Sequence, residues 1–439
     1  MEETIHPTSE PSASPMGFSA SAGRDLPFNN LVAFLGDSIT SSGINNDASN
    51  LRDTARGMGF WIPTLTRQAF QTRQDLNFGV SGDNTAGALA RIQSVIDCGA
   101  GTCVVLIGTN DIGGSISATK ANLSAIYSAL TDAGILTIAM TILPRTAVGT
   151  SAYGWLNTIN QWIRKQENNF PCLRVVDASQ PFGDPYSLTM SPLPGFTYDG
   201  LHPMGIGARY AAQPVADLLL TLRKPQSRQL QTITDHYWPT TNEGGYLNQN
   251  PALSGTGGSV SGGVTGQLAD HWSITTSQGG GDLSALSIAA SKITHPATGM
   301  AAQRITYSGN VTGGWQTVIV MNDYGLQYQE HLKAGDKVEF IVELDIPAGL
   351  PAVSGVVPFF AIDQASTLKS AYGGSVSVSD DWTNSGFKGV IKTPALTLTH
   401  ALAPGENARC DIWIYFKNVP HTGVSGTIDI LSAAVRKIV

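Results

Sequence analysis

Charge is scarce in this sequence. Only 13% of its 439 residues are Asp, Glu, Lys or Arg, against about 25% in an ordinary soluble domain. The net charge is −7, with no basic stripe to meet phosphate, which excludes nucleic acid as an expected partner. Cysteine is as sparse. The four residues Cys98, Cys103, Cys172 and Cys410 form no Cys-x-x-Cys or His/Cys cluster, so neither a metal nor another cofactor is expected. Cys98 and Cys103 are close enough for a loop-closing disulfide, but four unpaired thiols are the expectation, with Cys103 and Cys172 at strand starts. No apolar run reaches the roughly 18 residues of a membrane span. The first 30 residues are polar and rich in Ser and Pro, without the basic-then-apolar pattern of a signal peptide. What the chain has instead is glycine, 48 residues of it, with abundant Ser and Thr. That composition points to an extracellular or virion-associated protein.

The length exceeds one ordinary core, and the pattern divides it. Residues 1–30 read as an N-terminal arm. From Leu31 to Pro225, strand-like runs (31–35, 76–78, 103–107, 136–143, 173–176) alternate with helix-like runs (59–71, 85–96, 120–133, 155–168, 205–223). Trp155, Ile159, Trp162 and Ile163 share one helix face. This alternation implies a parallel sheet covered by helices on both sides. Residues 226–243 read as a linker. From 244 to 439 the chain changes to short β-type runs separated by Gly and Pro, the pattern of an all-β sandwich or jelly roll.

Four stretches of the first half carry chemistry. Leu31–Thr40 is an apolar strand ending in Gly36, Asp37 and Ser38, which places a hydroxyl at the edge where open α/β sheets bind ligands. A serine becomes nucleophilic when a base takes its proton, and the base is a histidine oriented by a carboxylate. His202 is the only histidine between Leu31 and Pro225, and Asp199 lies three residues before it. Oxyanion donors are read as the backbone N–H groups of Ser38 and Gly82 and the side-chain amide of Asn110. Gly82 lies in the loop Asn77–Thr85, and Asn110 in Gly108-Thr-Asn-Asp111.

Gly-Asp-Ser, the second-loop glycine, Gly-x-Asn-Asp and Asp-x-x-His occur in the order that resembles the SGNH hydrolases, or GDSL esterases and lipases. The resemblance covers about Leu31 to Leu222. It implies a flavodoxin-like three-layer α/β/α domain, with Ser38, Gly82, Asn110 and His202 in the family's named roles and Asp199 completing the triad. The Gly-x-Ser-x-Gly elbow of the larger α/β-hydrolase family is absent. In the second half, Ala269–Trp272, Leu332–Val342 and Gly426–Leu431 resemble parts of carbohydrate-binding jelly rolls.

The implied activity is a serine esterase, with O-acetyl groups of a polysaccharide as the favoured substrate. The alternatives are a lipase or lysophospholipase, and a phage-tail-type structural or receptor-binding protein using the hydrolase as a scaffold. A homo-oligomer is compatible with each. Asp37 and Asp111 are read as loop anchors, Thr85 as a helix cap, and Trp61, Trp272 and Trp413 as core; Trp315, Tyr324, Tyr328 and Trp382 are candidates for stacking on sugar rings. On this reading the segment ending at Lys224 folds alone and cleaves small esters, while the β-domain holds the polymer.

Overall fold

The computed structural model describes residues 29–47, 50–146, 150–224, 235–279, 283–296, 299–323, 325–327, 329–364, 367–375, 382–403 and 406–438. Nearly all of the expected arm and half of the expected linker lie outside these residues, as do Tyr324, Tyr328 and the side chain of Trp315.

Five short strands build the first layer: β1 (Val32–Gly36), β4 (Asn77–Gly79), β5 (Thr102–Leu106), β6 (Leu136–Met140) and β7 (Leu173–Val176). All their pairings are parallel. β1, β5 and β6 are buried throughout, as expected of strands covered on both faces. The spatial order is β4-β1-β5-β6-β7. Counted within this sheet it is 2-1-3-4-5, the flavodoxin-like order, whose ligand crevice opens where the winding reverses, between the first and third strands. Ser38 follows β1 and Asn110 follows β5.

The helices match the periodic runs, with shifts that have local causes. Helix α2 (Met58–Leu65) stops short because Arg67 and Gln68 take positive φ. The run 85–96 is two helices, α3 (Thr85–Ala90) and α4 (Ile92–Ile96), broken at Arg91. Beyond them lie α5 (Ile116–Asp132), α6 (Thr150–Ile163), α7 (Ser179–Phe182) and α8 (Gly205–Leu222), while α1 (Ser38–Ser41) is the single turn after β1.

The second half forms an eight-stranded and a seven-stranded sheet. Along Ala408–Phe416, residues 408, 410, 412, 414 and 416 are buried and 413 and 415 are half-buried, the period of a strand with one inward face. Tyr307 of the seven-stranded sheet meets Phe416 of the other edge-to-face at 5.3 Å. The two sheets thus make a β-sandwich.

The two halves are not separate bodies. Directly after α1 the chain leaves the hydrolase layer as a hairpin, β2 (Ile44–Asp47) and β3 (Asn50–Thr54), and β3 pairs in parallel with Thr367–Ser375 of the eight-stranded sheet. Trp61 of α2 is fully buried against Trp382 (5.3 Å) and Phe387 (6.4 Å). Around this apolar contact, Arg67 pairs with Glu343, Gln68 Nε2 donates to the Val390 carbonyl at 3.3 Å, and Arg209 donates to the Trp382 and Gly386 carbonyls. One continuous core therefore runs through both halves. The segment ending at Lys224, expected to fold by itself, would alone expose Trp61 and a strand with no sheet to join. Trp382 is interface core rather than a sugar platform, and Trp272 is buried as expected. Trp413 is only half-buried, in a cluster with Phe359, Tyr372 and Tyr415.

Candidate active site

Each site residue stands at the C-terminal edge of the parallel sheet, on a turn with its own brace. At the end of β1, Asp37 caps α1 by accepting from the Ile39 N–H at 2.9 Å. Asp37 is 1% exposed. Burial pushes its carboxyl up to about 6, against the opposing pull of the Ile39 N–H and the nearby His202. It anchors the turn that presents Ser38, as expected.

His202 comes from a closed loop before α8. Tyr198 N–H donates to the His202 carbonyl at 3.1 Å, and Thr197 bridges Pro203. Within the loop, Asp199 Oδ1 accepts from the backbone N–H of Leu201 (3.0 Å) and of His202 (2.7 Å). Its Oδ2 lies 2.6 Å from His202 Nδ1. Burial works to raise the Asp199 carboxyl, but these hydrogen bonds outweigh it and hold the group below its ordinary value. An ionised Asp199 makes Nδ1 the protonated ring nitrogen, leaving Nε2 as an acceptor 2.8 Å from Ser38 Oγ. Gly200, between the two partners, has φ +85°, and a Cβ there would collide with Thr146.

The other two blocks are built as firmly. Gly82 has φ +77° and is the third residue of the turn Val80–Asp83, a position that favours glycine. Asn110 Nδ2 gives one N–H to the Asp83 carbonyl at 2.7 Å, and its side chain lies in the open. That leaves the second amide N–H free to face substrate. Among the described residues, the N–H groups of Ser38 and Gly82 meet no protein acceptor. Asp111 is fully engaged: it accepts from Thr85 N (2.9 Å), Thr85 Oγ1 (2.6 Å) and Thr119 Oγ1 (3.4 Å). Asn84 rather than Thr85 caps α3, accepting from Ala86 and Gly87. The expected cap is therefore one residue off, because Thr85 is needed to hold Asp111.

Three residues of this region escaped the sequence reading. Arg91 donates to the carbonyls of Gly36 (2.7 Å) and Phe78 (3.2 Å) and pairs with Asp83, so one guanidinium ties the ends of β1 and β4 to the Gly82 turn. Nothing in the sequence marked it, since 85–96 reads as one helical run. Tyr198, next to Asp199, stacks on the His202 ring at 5.6 Å and 16°. Arg56 lies over the Tyr198 ring at 4.6 Å, from a part of the chain with no motif.

A cavity of about 840 Å³ lies elsewhere, lined by Leu31, Gln71, Asp75, Lys392 and Arg436, among others. Leu31 precedes β1 and Gln71–Asp75 precede β4, so it lies at the N-terminal edge, the far end of the sheet from Ser38. Its Lys392 and Arg436 are paired to the buried Glu339.

Residues 34–210 match the family model described as the GDSL-like Lipase/Acylhydrolase family. A comparison with curated proteins finds no match. Among solved structures, the chain is similar to a GDSL-like lipase from Bacteroides thetaiotaomicron VPI-5482, at 20% identity over 44% of this chain and 89% of that one, with a TM-score of 0.34. A psychrotrophic esterase from Pseudoalteromonas sp. is similar at 17% identity over 44% of this chain and 98% of the other, TM-score 0.32. A carbohydrate esterase family 3 protein from Talaromyces cellulolyticus is similar at 17% identity over 44% and 97%, TM-score 0.32.

Proposed function

Residues 34–210 form a GDSL-like lipase/acylhydrolase domain, and from that premise we propose that the protein is a serine esterase that removes short acyl groups, O-acetyl above all, from a polysaccharide. The observation that carries the esterase reading is the hydrogen-bonded line Ser38 Oγ–His202 Nε2, Nδ1–Asp199 Oδ2 at 2.8 and 2.6 Å.

In the mechanism this supports, Ser38 Oγ attacks the ester carbonyl carbon as its proton passes to His202 Nε2. Asp199 holds the ring and stabilises the imidazolium that forms. The carbonyl oxygen becomes an oxyanion, received by the N–H groups of Ser38 and Gly82 and the free amide N–H of Asn110. When the intermediate collapses, the bond to the alcohol oxygen breaks and His202 gives that oxygen the proton. Water then repeats the sequence on the acyl-Ser38 ester: His202 takes its proton, its oxygen joins the acyl carbon, and Ser38 leaves reprotonated as the carboxylic acid is released. His202 can take the Ser38 proton only when its Nε2 is unprotonated, so activity falls in acid.

The short-acyl, polymer-bound part of the reading draws on the rim. Gly82, Asn110 and Tyr198 are exposed around Ser38, an open and polar setting that suits a chain lying across the edge better than a long acyl tail seeking a dry tunnel. The test is hydrolysis of p-nitrophenyl esters of increasing chain length beside acetylated polysaccharides. Fast acetate and acetyl-polymer cleavage supports the proposal. A preference that climbs with chain length overturns its substrate part, and loss of no activity in Ser38→Ala overturns the esterase itself.

A further inference from the structure

We propose that Arg145, seconded by Arg56, selects esters whose carrier is itself anionic, so that the polymer is an acidic polysaccharide; the inference rests on the esterase reading above. Arg145 follows β6 at the catalytic edge of the sheet. Its Nη1 lies 3.5 Å from the carbonyl of Thr109, the residue before Asn110. The next residue, Thr146, donates its N–H to the Gly200 carbonyl at 2.8 Å, beside Asp199. The segment Arg145–Thr146 therefore lies between the oxyanion turn and the histidine loop, with the guanidinium on the oxyanion-turn side.

Among the described residues no carboxylate pairs with its charge. The carboxylates of the site each have another partner: Asp111 is held by Thr85 and Thr119, Asp199 by His202, Asp83 by Arg91, and Asp37 caps α1. None forms an ion pair with Arg145 among the described residues. Arg145 Nε is buried and meets no acceptor, and its one protein contact, at 3.5 Å, is at the limit of a hydrogen bond. A guanidinium carries five N–H donors in a planar fork, and a buried donor left unmet is costly. Arg145 is half-buried rather than enclosed, so its terminal N–H groups can meet a substrate oxyanion in the bidentate geometry that arginine favours. By the histidine loop, Arg56 lies over Tyr198, which stacks on His202, and so places a second cation near the same cleft.

Carboxylate and sulfate groups both present paired oxygens to a guanidinium, so the experiment uses both. kcat/KM is measured at low and high salt on acetylated xylan, acetylated polygalacturonate and an acetylated sulfated galactan, for the wild type, Arg145→Gln and Arg145→Lys. The wild type is expected to favour a charged polymer over xylan, and salt to erode the preference. Arg145→Gln should cut the charged-to-neutral ratio about tenfold, with part of it restored in Arg145→Lys. Which polymer leads assigns the anion. p-Nitrophenyl acetate separates the two levels of the claim. If the wild type cleaves it but shows no charge preference, or if Arg145→Gln leaves the ratio unchanged, the charge role is overturned and the esterase stands. If the wild type cleaves no ester, both fall.

Discussion

The two ends of the parallel sheet are built on opposite principles. At the C-terminal edge, polar groups stand on short turns, each braced by a few directed hydrogen bonds: Asp37 under Ser38, Asp111 under Thr85, Arg91 under Gly82. At the N-terminal edge and along α2, the layer is welded to the sandwich by Trp61, Trp382 and Phe387 and by the pairing of Arg67 with Glu343. The first end spends its hydrogen-bonding groups on orientation and leaves several donors for a substrate. The second supplies stability through buried apolar contact.

The comparison breaks first at the nucleophile. Ser38→Ala is expected to lower kcat on p-nitrophenyl acetate by about 10⁴-fold or more, with thermal unfolding little changed, because the hydroxyl contributes nothing to the weld. A similar loss of both activity and stability would mean that the two ends are not separable.

The converse substitution attacks the weld. Trp382→Ala should cost about 3–5 kcal/mol of stability by emptying the space against Trp61 and Gly205, read by chemical denaturation. A chain ended at Lys224 should go further and fail to fold as a soluble monomer, since β3 loses its parallel partner as well. A soluble, active 1–224 fragment would show the shared core to be dispensable.

Asn110→Ala tests the catalytic edge at lower intensity. One oxyanion donor is worth about 10²-fold in kcat, with KM for a small ester nearly constant. A rise in KM alone would assign Asn110 to binding.

The smallest effect concerns Asp37, the one catalytic-edge brace that is nearly fully buried. Its folded value of about 6 lies above the ordinary 3.8. Its contribution to stability is therefore present below about pH 3.8 and is lost as pH rises through about 6. Asp37→Asn, which keeps an acceptor for the Ile39 N–H, should raise stability at pH 8 by up to about 3 kcal/mol and leave it nearly unchanged at pH 3. Equal effects at both pH values would show that charge burial is not the cause.

Much of the catalytic edge was legible because it is local. A buried apolar run ending in Gly36-Asp37-Ser38 has to deliver its serine at a strand end, and Asp199 and His202 are three residues apart, so their contact needs only one turn. The strand–helix alternation likewise contained the parallel sheet, and the periodicity of Trp155, Ile159 and Ile163 its covering face. Thr85 shows the limit of such reasoning: its local chemistry suits a cap, but its partner Asp111 is 26 residues away, and that bond decided its place.

What only the tertiary structure decided depends on partners far apart in the chain. The polar run Ile44–Thr54 has no clear alternation, and it becomes a hairpin because Thr367–Ser375, some 320 residues on, offers it an open edge. Trp382 could serve a surface or a core equally by composition, and Trp61 and Gly205 made it core. Arg56, Arg91 and Arg145 belong to no motif; each acquires its role from what folding brings near it. The sequence by itself determined the strand ends and the residues standing on them, because backbone period and short-range contacts suffice for that. Which side chains brace, flank and charge that edge was left to packing, because those contacts exist only once distant segments share one core.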